Sequence, residues 1–145
     1  MTIIQANKTH LEQITPLFDA YRVFYKQPSN TEAARQFIKT RLEKEDSIIL
    51  LAFAEKKPVG FTQLFHSFSS VSMQPLFILN DLYVNENYRK QGIGVALLNK
   101  AKAICKKHNY KGLALQTQTT NPAQKLYESL GWKIDKDLQY FWTNA

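Results

Sequence analysis

The chain has 145 residues, enough for one domain with a single hydrophobic core, and an apolar fraction of 44% with 12% aromatics excludes a disordered polymer. One cysteine, Cys105, excludes an internal disulfide framework, and no apolar run approaches the ~20 residues that a membrane span needs. The net charge of +7 favours an anionic partner, either nucleic acid or a phosphate-rich ligand, but the lysines are dispersed, as on a solvated surface. The first eight residues lack a basic region followed by an apolar stretch, so no signal peptide is expected, and the reading is of a cytoplasmic protein.

Without repeats, low-complexity tracts or a Pro/Gly/Ser linker, residues 1–145 read as one domain. Residues 3–6 suggest a short first strand. Thr9-His10-Leu11-Glu12 has the form of a capping box, and Leu11, Ile14, Leu17, Phe18, Tyr21 and Tyr25 follow at helical spacing. Ser29-Asn30-Thr31-Glu32 is a second box ahead of Ala34, Phe37, Ile38 and Leu42. Residues 47–54 form a continuous apolar run, expected of a strand covered on both faces. Residues 55–58 read as a turn, residues 59–65 as the returning strand of a hairpin, and residues 76–84 as a third long strand. Ile93, Leu97, Ala101, Ile104, Cys105 and His108 share one helical face, opposite Asn99, Lys100, Lys102, Lys106 and Lys107. A short strand is expected at 113–117. Asn121-Pro122 opens a further helix that Gly131 ends, and residues 132–134 and 139–142 read as two closing strands. This order makes an α/β chain with a mixed sheet and helices on both faces.

Arg89-Lys90-Gln91-Gly92-Ile93-Gly94 joins the 76–84 strand to the next helix. Two glycines admit close approach of a ligand to the backbone, and the first amides and dipole of the helix favour an anion. Arg89 and Lys90 add charge-assisted donors, so a pyrophosphate fits. For a lone Gly-x-Gly, a strand-to-helix turn without a ligand is the favoured reading. A dinucleotide fingerprint fails at Leu97, which is too large, and a Walker loop fails for want of Gly-Lys-Ser/Thr. His10, His66 and His108 are too scattered for a metal site, and no metal is expected.

About thirty residues after the glycine loop comes Asn121-Pro122-Ala123-Gln124-Lys125-Leu126-Tyr127-Glu128-Ser129-Leu130-Gly131-Trp132. Arg-x-x-Gly-x-Gly followed by Asn-x-x-Ala-x-x-Leu-Tyr-x-x-x-Gly-Trp resembles the Gcn5-related N-acetyltransferase superfamily, and the element order resembles it over nearly the whole chain. The resemblance implies a mainly antiparallel sheet of about six to seven strands, splayed between the fourth and fifth. It implies an acetyl-CoA-dependent enzyme that acetylates a primary amine, either of a small molecule or of a protein or peptide lysine, by direct attack in a ternary complex. It also implies a homodimer, for which Tyr140-Phe141-Trp142 offers an aromatic surface.

Roles follow from the resemblance residue by residue. The backbone of Leu82, Tyr83 and Val84 would bind the pantetheine arm, and the loop Arg89, Lys90, Gln91, Gly92, Ile93 and Gly94 would hold the pyrophosphate through its amides. Asn121 would touch the arm from its far side, with Tyr127 beside the sulfur. A phenol of pKa ~10 can protonate a departing thiolate, although Tyr127 also fits a packed helix aromatic. Leu79-Asn80-Asp81-Leu82-Tyr83-Val84 resembles the Leu-Glu-Asp-Phe-Phe-Val segment of the spermidine/spermine branch, whose glutamate is the favoured base. Asn80 stands in its place and cannot take a proton, which leaves Asp81 as a base acting directly or through water. Tyr21, Tyr25 and Asn80 would line the acceptor pocket, with the serine-rich segment 66–73 as a loop facing it.

Two other readings are set against this one. A catalytically silent acyl-CoA sensor or scaffold draws support from Asn80. A nucleic-acid-binding domain would need clustered cations with aromatic platforms, and the dispersed charges argue against it.

Overall fold

The computed structural model describes residues 1–117 and 120–144, and these divide into two compact units, 1–115 and 116–145. The first unit is built on a sheet of five strands in the order β1 (Thr2–Gln5), β2 (Ser47–Ala54), β3 (Lys57–Ser69), β4 (Gln74–Val84) and β5 (Leu113–Ala114). The first three pairings are antiparallel and the last is parallel. Helices α1 (Leu11–Phe24) and α2 (Thr31–Lys44) precede β2, and α3 (Ile93–His108) crosses from β4 to β5.

Strand β2 is buried through its middle because it is covered on both sides. Ile49 and Leu51 join Phe61 of β3 in a cluster with Leu11, Ile14, Leu17, Phe18, Ala34 and Ile38 of the first two helices. Ile48, Leu50 and Ala52 alternate to the other face, where α3 brings Ile93, Leu97, Leu98 and Ala101. At about 1.5–3 kcal/mol for each large apolar side chain buried, these two layers hold the sheet.

Both capping expectations shift by a residue or two. Asn7, not Thr9, caps the first turn: its Oδ1 accepts from the Thr9 amide at 2.9 Å, and the His10 ring Nδ1 accepts from the Asn7 amide at 3.0 Å. At α2 the cap is Asn30, whose Oδ1 accepts from the Ala33 amide at 3.1 Å. Ser29 turns instead to Asp19, donating to Oδ2 at 2.6 Å, while the Asn30 amide donates to Oδ1 at 2.8 Å. This buried carboxylate closes the α1–α2 connection. The Ser29 hydrogen bond holds Asp19 below the ordinary value of 3.8, joined by the Asn30 amide and Arg22 against the opposing effect of burial.

Segment 66–73, expected as a loop, is one only at residues 70–73. Strand β3 continues to Ser69 and pairs with β4 through Ser69↔Gln74, leaving Phe68, Val71 and Met73 exposed around the tip. Strand β5 is shorter than expected, at Leu113–Ala114. Among the described residues five strands form, not six or seven: residues 132–134 and 139–142 take no ladder, and Ile134, Tyr140, Phe141 and Trp142 are exposed. A strand exists only through a partner's N–H and C=O groups, which a sequence pattern does not supply. No helix among the described residues is long and apolar enough to cross a membrane.

In the second unit α4 (Ala123–Ser129) starts one residue later than the sequence indicates, with Pro122 at the N-cap and Asn121 Oδ1 accepting from the Ala123 amide at 2.9 Å. The helix ends at Gly131, whose φ of 90° suits glycine, and the Trp132 amide bonds back to the Tyr127 carbonyl at 3.0 Å.

Gly60, opposite Val84, is demanded by close approach, since a Cβ there would lie 2.9 Å from the Tyr83 carbonyl oxygen. Gly60→Ala should therefore cost about 1–3 kcal/mol, read as a lower urea midpoint. Asp19→Asn should cost about 1–3 kcal/mol at pH 7, because one of two inward donors loses its acceptor. A carboxylate whose folded pKa is depressed adds stability above its unfolded value, and that increment fades as pH falls through the folded one. The gap between wild type and Asp19→Asn should accordingly narrow in denaturant titrations as the pH falls below the ordinary carboxylate value of ~3.9.

Candidate functional site

Among the described residues, strand β4 pairs with β5 only through Phe77↔Leu113 and Ile78↔Ala114. Along its other edge β4 stays paired with β3 as far as Gly60↔Val84, with an irregularity where Gln63↔Asp81 is followed by Leu64↔Leu79. Asn80 is thus an extra residue, a β-bulge. The Asn85 amide donates to the Val59 carbonyl at 2.8 Å, which fixes the alternation beyond the bulge. Tyr83 and Asp81 direct their backbone groups to β3, whereas Leu82 and Val84 direct theirs to the outer edge. Of the three backbone positions expected to bind an extended ligand, Leu82 and Val84 face the open edge and Tyr83 does not.

At the end of β4 an Asn85-capped turn leads into the glycine loop. Lys90 (φ 63°) and Gly92 (φ 82°) are both left-handed, and such alternation turns successive amides to one side. The α3 ladder begins with the Ala96 amide on the Gly92 carbonyl at 3.0 Å, so the amides of Ile93, Gly94 and Val95 precede it. Gly94 has neither a left-handed φ nor a close neighbour, for a Cβ there would meet only Val84 Cγ2 at 3.9 Å. Glycine costs about 1 kcal/mol relative to alanine inside a helix, so its presence in this first turn calls for something other than the fold.

Arg89 is placed differently from the sequence expectation of a phosphate donor. Its Nε donates to the Val84 carbonyl at 2.9 Å, and its guanidinium lies 5.6 Å from the ring centres of Phe24 and of Tyr83. It therefore caps the outward carbonyl of β4 and ties the end of α1 to the glycine loop.

Beneath the bulge lies a buried polar network. Asp81, 2% exposed, accepts from Asn80 Nδ2 at 2.7 Å on one oxygen and from Gln63 Nε2 at 2.5 Å on the other. Ser47 Oγ donates to Gln63 Oε1 at 2.8 Å, and Thr62 Oγ1 donates to the Asp81 carbonyl at 2.7 Å. Tyr21 donates its hydroxyl to the Asn80 carbonyl at 3.2 Å and packs on Tyr25, their ring centres 5.0 Å apart. Burial pushes the Asp81 carboxyl above its ordinary value of 3.8, against hydrogen bonds from Asn80, Gln63 and Tyr21 that pull it down. The base expected from the sequence is thus enclosed, with both oxygens occupied by amide donors of this chain. Asn80, not Asp81, meets solvent at the bulge.

The structure brings Tyr21, Tyr25, Asn80, Asp81 and the edge of Leu82 and Val84 together at the bulge. Gln63 and Ser47 escaped the sequence reading, although a lone amide inside the apolar run 59–65 was a legible sign of a buried polar partner. Asn121 and Tyr127 lie in the second unit, where the Tyr127 ring centre is 6.2 Å from that of Trp132.

Residues 14–132 match the model of the acetyltransferase (GNAT) family, a span that includes the glycine loop and the Asn121–Trp132 motif. The chain is 42% identical over 146 residues to an uncharacterized N-acetyltransferase, YhfO, of Bacillus subtilis (strain 168), covering 100% of this chain and 98% of that one. It is 30% identical over 142 residues to a probable acetyltransferase of Haemophilus influenzae, covering 97% and 96%. A crystal structure of a probable acetyltransferase superposes with a TM-score of 0.92 at 38% identity, over 100% of this chain and 98% of the other. The chain therefore belongs to the acetyltransferase (GNAT) family and is an N-acetyltransferase, of a family whose acetyl donor is acetyl-CoA.

Proposed function

We propose that the chain, acting as one acetyltransferase domain over residues 1–145, transfers acetyl from acetyl-CoA to a primary amine of a small molecule, such as a polyamine or an amino acid, by direct attack in a ternary complex. The observation that carries this reading is Gly94. Neither backbone conformation nor space in the fold requires glycine there, and a pyrophosphate seated on the amides of Gly92, Ile93, Gly94 and Val95 does. Acetyl-CoA supplies a thioester whose thiol is a good leaving group once protonated.

The residues divide the work. Gln91 and the first α3 amides bind the pyrophosphate, with the exposed Lys90 as a countercharge. Leu82 and the Val84 amide bind the pantetheine arm in the manner of an added strand, and the resemblance assigns Asn121 to the same arm. A Leu82 amide fixed by the sheet also suits an oxyanion, because it needs no reorganisation. Tyr127 protonates the departing thiolate, a role supported by its place in the Asn121–Trp132 motif. Tyr21, Tyr25 and Asn80 face the acceptor, and Asp81 positions Asn80. The resemblance of residues 79–84 to the spermidine/spermine branch supports an amine acceptor, and the exposed Tyr140, Phe141 and Trp142 supply apolar surface for a homodimer. The lone buried thiol, Cys105, accords with a cytoplasmic location.

Two substitutions test the two ends of this assignment. Gly94→Val should leave the melting temperature unreduced yet raise the acetyl-CoA Kd at least tenfold, about 1.4 kcal/mol, by calorimetry; normal binding by the folded variant would remove the cradle. Tyr127→Phe should lower turnover by about 10²-fold or more with acetyl-CoA affinity unchanged, and an undiminished turnover number would remove Tyr127 as the acid.

A further inference from the structure

The carboxylates on the three elements that frame the bulge are all committed elsewhere. On α1, Asp19 is buried between Ser29 and Asn30, and Glu12, at the opposite end of the helix, pairs with Arg35 at 2.7 Å. Strand β3 carries no acid, and the only one on β4 is the enclosed Asp81. The fixed charge between α1 and β4 is positive, since Phe24 and Tyr83 hold the Arg89 guanidinium.

Asn80 is what the bulge presents to solvent, and its orientation is determined. An ionised carboxylate only accepts, so the Asn80 amide must turn Nδ2 toward Asp81, as it does at 2.7 Å, and Oδ1 away from it. Gln63 is oriented likewise, with Ser47 on its oxygen and Asp81 on its nitrogen. The outward Oδ1 is a neutral acceptor. It can receive an amine N–H, but it neither offers a countercharge to an ammonium nor removes its proton.

Resting on the acetyltransferase reading above, we propose that the acceptor enters as the neutral amine, oriented by Asn80 Oδ1, and that the site serves peptide N-termini and similar α-amino amides in preference to polyamines and lysine side chains. The amine lone pair forms the C–N bond as the C–S bond breaks, its electron pair leaving on sulfur. Tyr127 gives the sulfur its proton; the nitrogen releases one proton to water, and water restores the phenol. Magnitude decides the selectivity: at pH 7.5 an α-amine of pKa ~7.8 is about one-third neutral, whereas an amine of pKa ~10.4 is neutral in about one molecule per thousand.

The test measures thiol release and product mass with the full chain, acetyl-CoA and three acceptors: alanine amide, Nα-acetyl-lysine amide and spermidine. At pH 7.5 kcat/KM should be at least tenfold higher for alanine amide, within the several-hundredfold ceiling that roughly follows from the two pKa values. Its logarithm should rise with unit slope up to the acceptor's own pKa and then level. Asn80→Ala should lower kcat/KM for alanine amide about tenfold, the equivalent of one hydrogen bond, with acetyl-CoA Kd unchanged. Asn80→Asp, which exposes a carboxylate, should raise spermidine relative to alanine amide. Wild-type acetylation of spermidine or the lysine amide as efficient as that of alanine amide would overturn this inference and leave the acetyltransferase reading standing. Tight acetyl-CoA binding without transfer to any of the three would overturn both.

Discussion

Two residue pairs, Phe77↔Leu113 and Ile78↔Ala114, are all that join β4 to β5 among the described residues, and the rest of the site depends on how early that ladder stops. An outer edge carrying Leu82 and Val84 is a row of unpaired donors and acceptors, which proteins ordinarily cover or blunt. Here it is managed at both ends. Arg89 occupies the Val84 carbonyl, and the bulge at Asn80 breaks the alternation before the edge can extend as a flat strand. The stretch left between them is short, and an extended amide-containing arm of the kind acetyl-CoA carries would fit it.

The bulge has its own cost, because it places a carboxylate inside the sheet. Asp81 is tolerated because each oxygen has a donor and because Gln63, itself fully buried, is satisfied in turn by Ser47. The network sits between β2, β3 and β4 on the side where Tyr21 descends from α1. Its consequence is rigidity at one point: the Asn80 carbonyl is fixed by Tyr21 and the Asn80 side chain by Asp81. A surface asparagine ordinarily samples several rotamers, and this one has its amide plane set from below.

Much of this was legible in the sequence, for reasons that differ by element. The β2 run, the α3 stripe and the glycine loop are local patterns, each with its own physical signature, and the structure forms them where the sequence places them. The Asn121–Gly131 helix is likewise local, since its cap and its left-handed end need only neighbouring residues. What the sequence left hidden depends on partners far along the chain. The bulge at Asn80 arises from register against Gln63, 17 positions away, and the stacking of Arg89 requires Phe24 from a helix 65 residues earlier. The first half of segment 66–73 misled because serine-rich composition suggests a loop, yet pairing with β4 carries the backbone on as strand to Ser69. The closing strands misled in the opposite sense, by having a strand-like pattern without a ladder among the described residues.

The same charges that favour one substrate disfavour some versions of the other. A net charge of +7, with Lys90 exposed at the glycine loop, attracts a polyphosphate and repels a polycation. An enzyme for polyamines would have to overcome that repulsion locally, with exposed carboxylates near the bulge, and this chain buries the acid of β4 and the acid in the C-terminal half of α1. Asp19 is spent on holding the α1–α2 connection and Asp81 on holding Asn80. A glutamate at position 80 would have joined a second carboxylate to Asp81 in a poorly solvated place, and like charges so close cannot both ionise readily. An amide avoids that repulsion and lets Asp81 accept two hydrogen bonds, at the expense of any proton-accepting power at the surface. Under the acetyltransferase reading, deprotonation of the amine is thereby shifted from the enzyme to the solvent, and the basicity of the acceptor becomes part of the specificity.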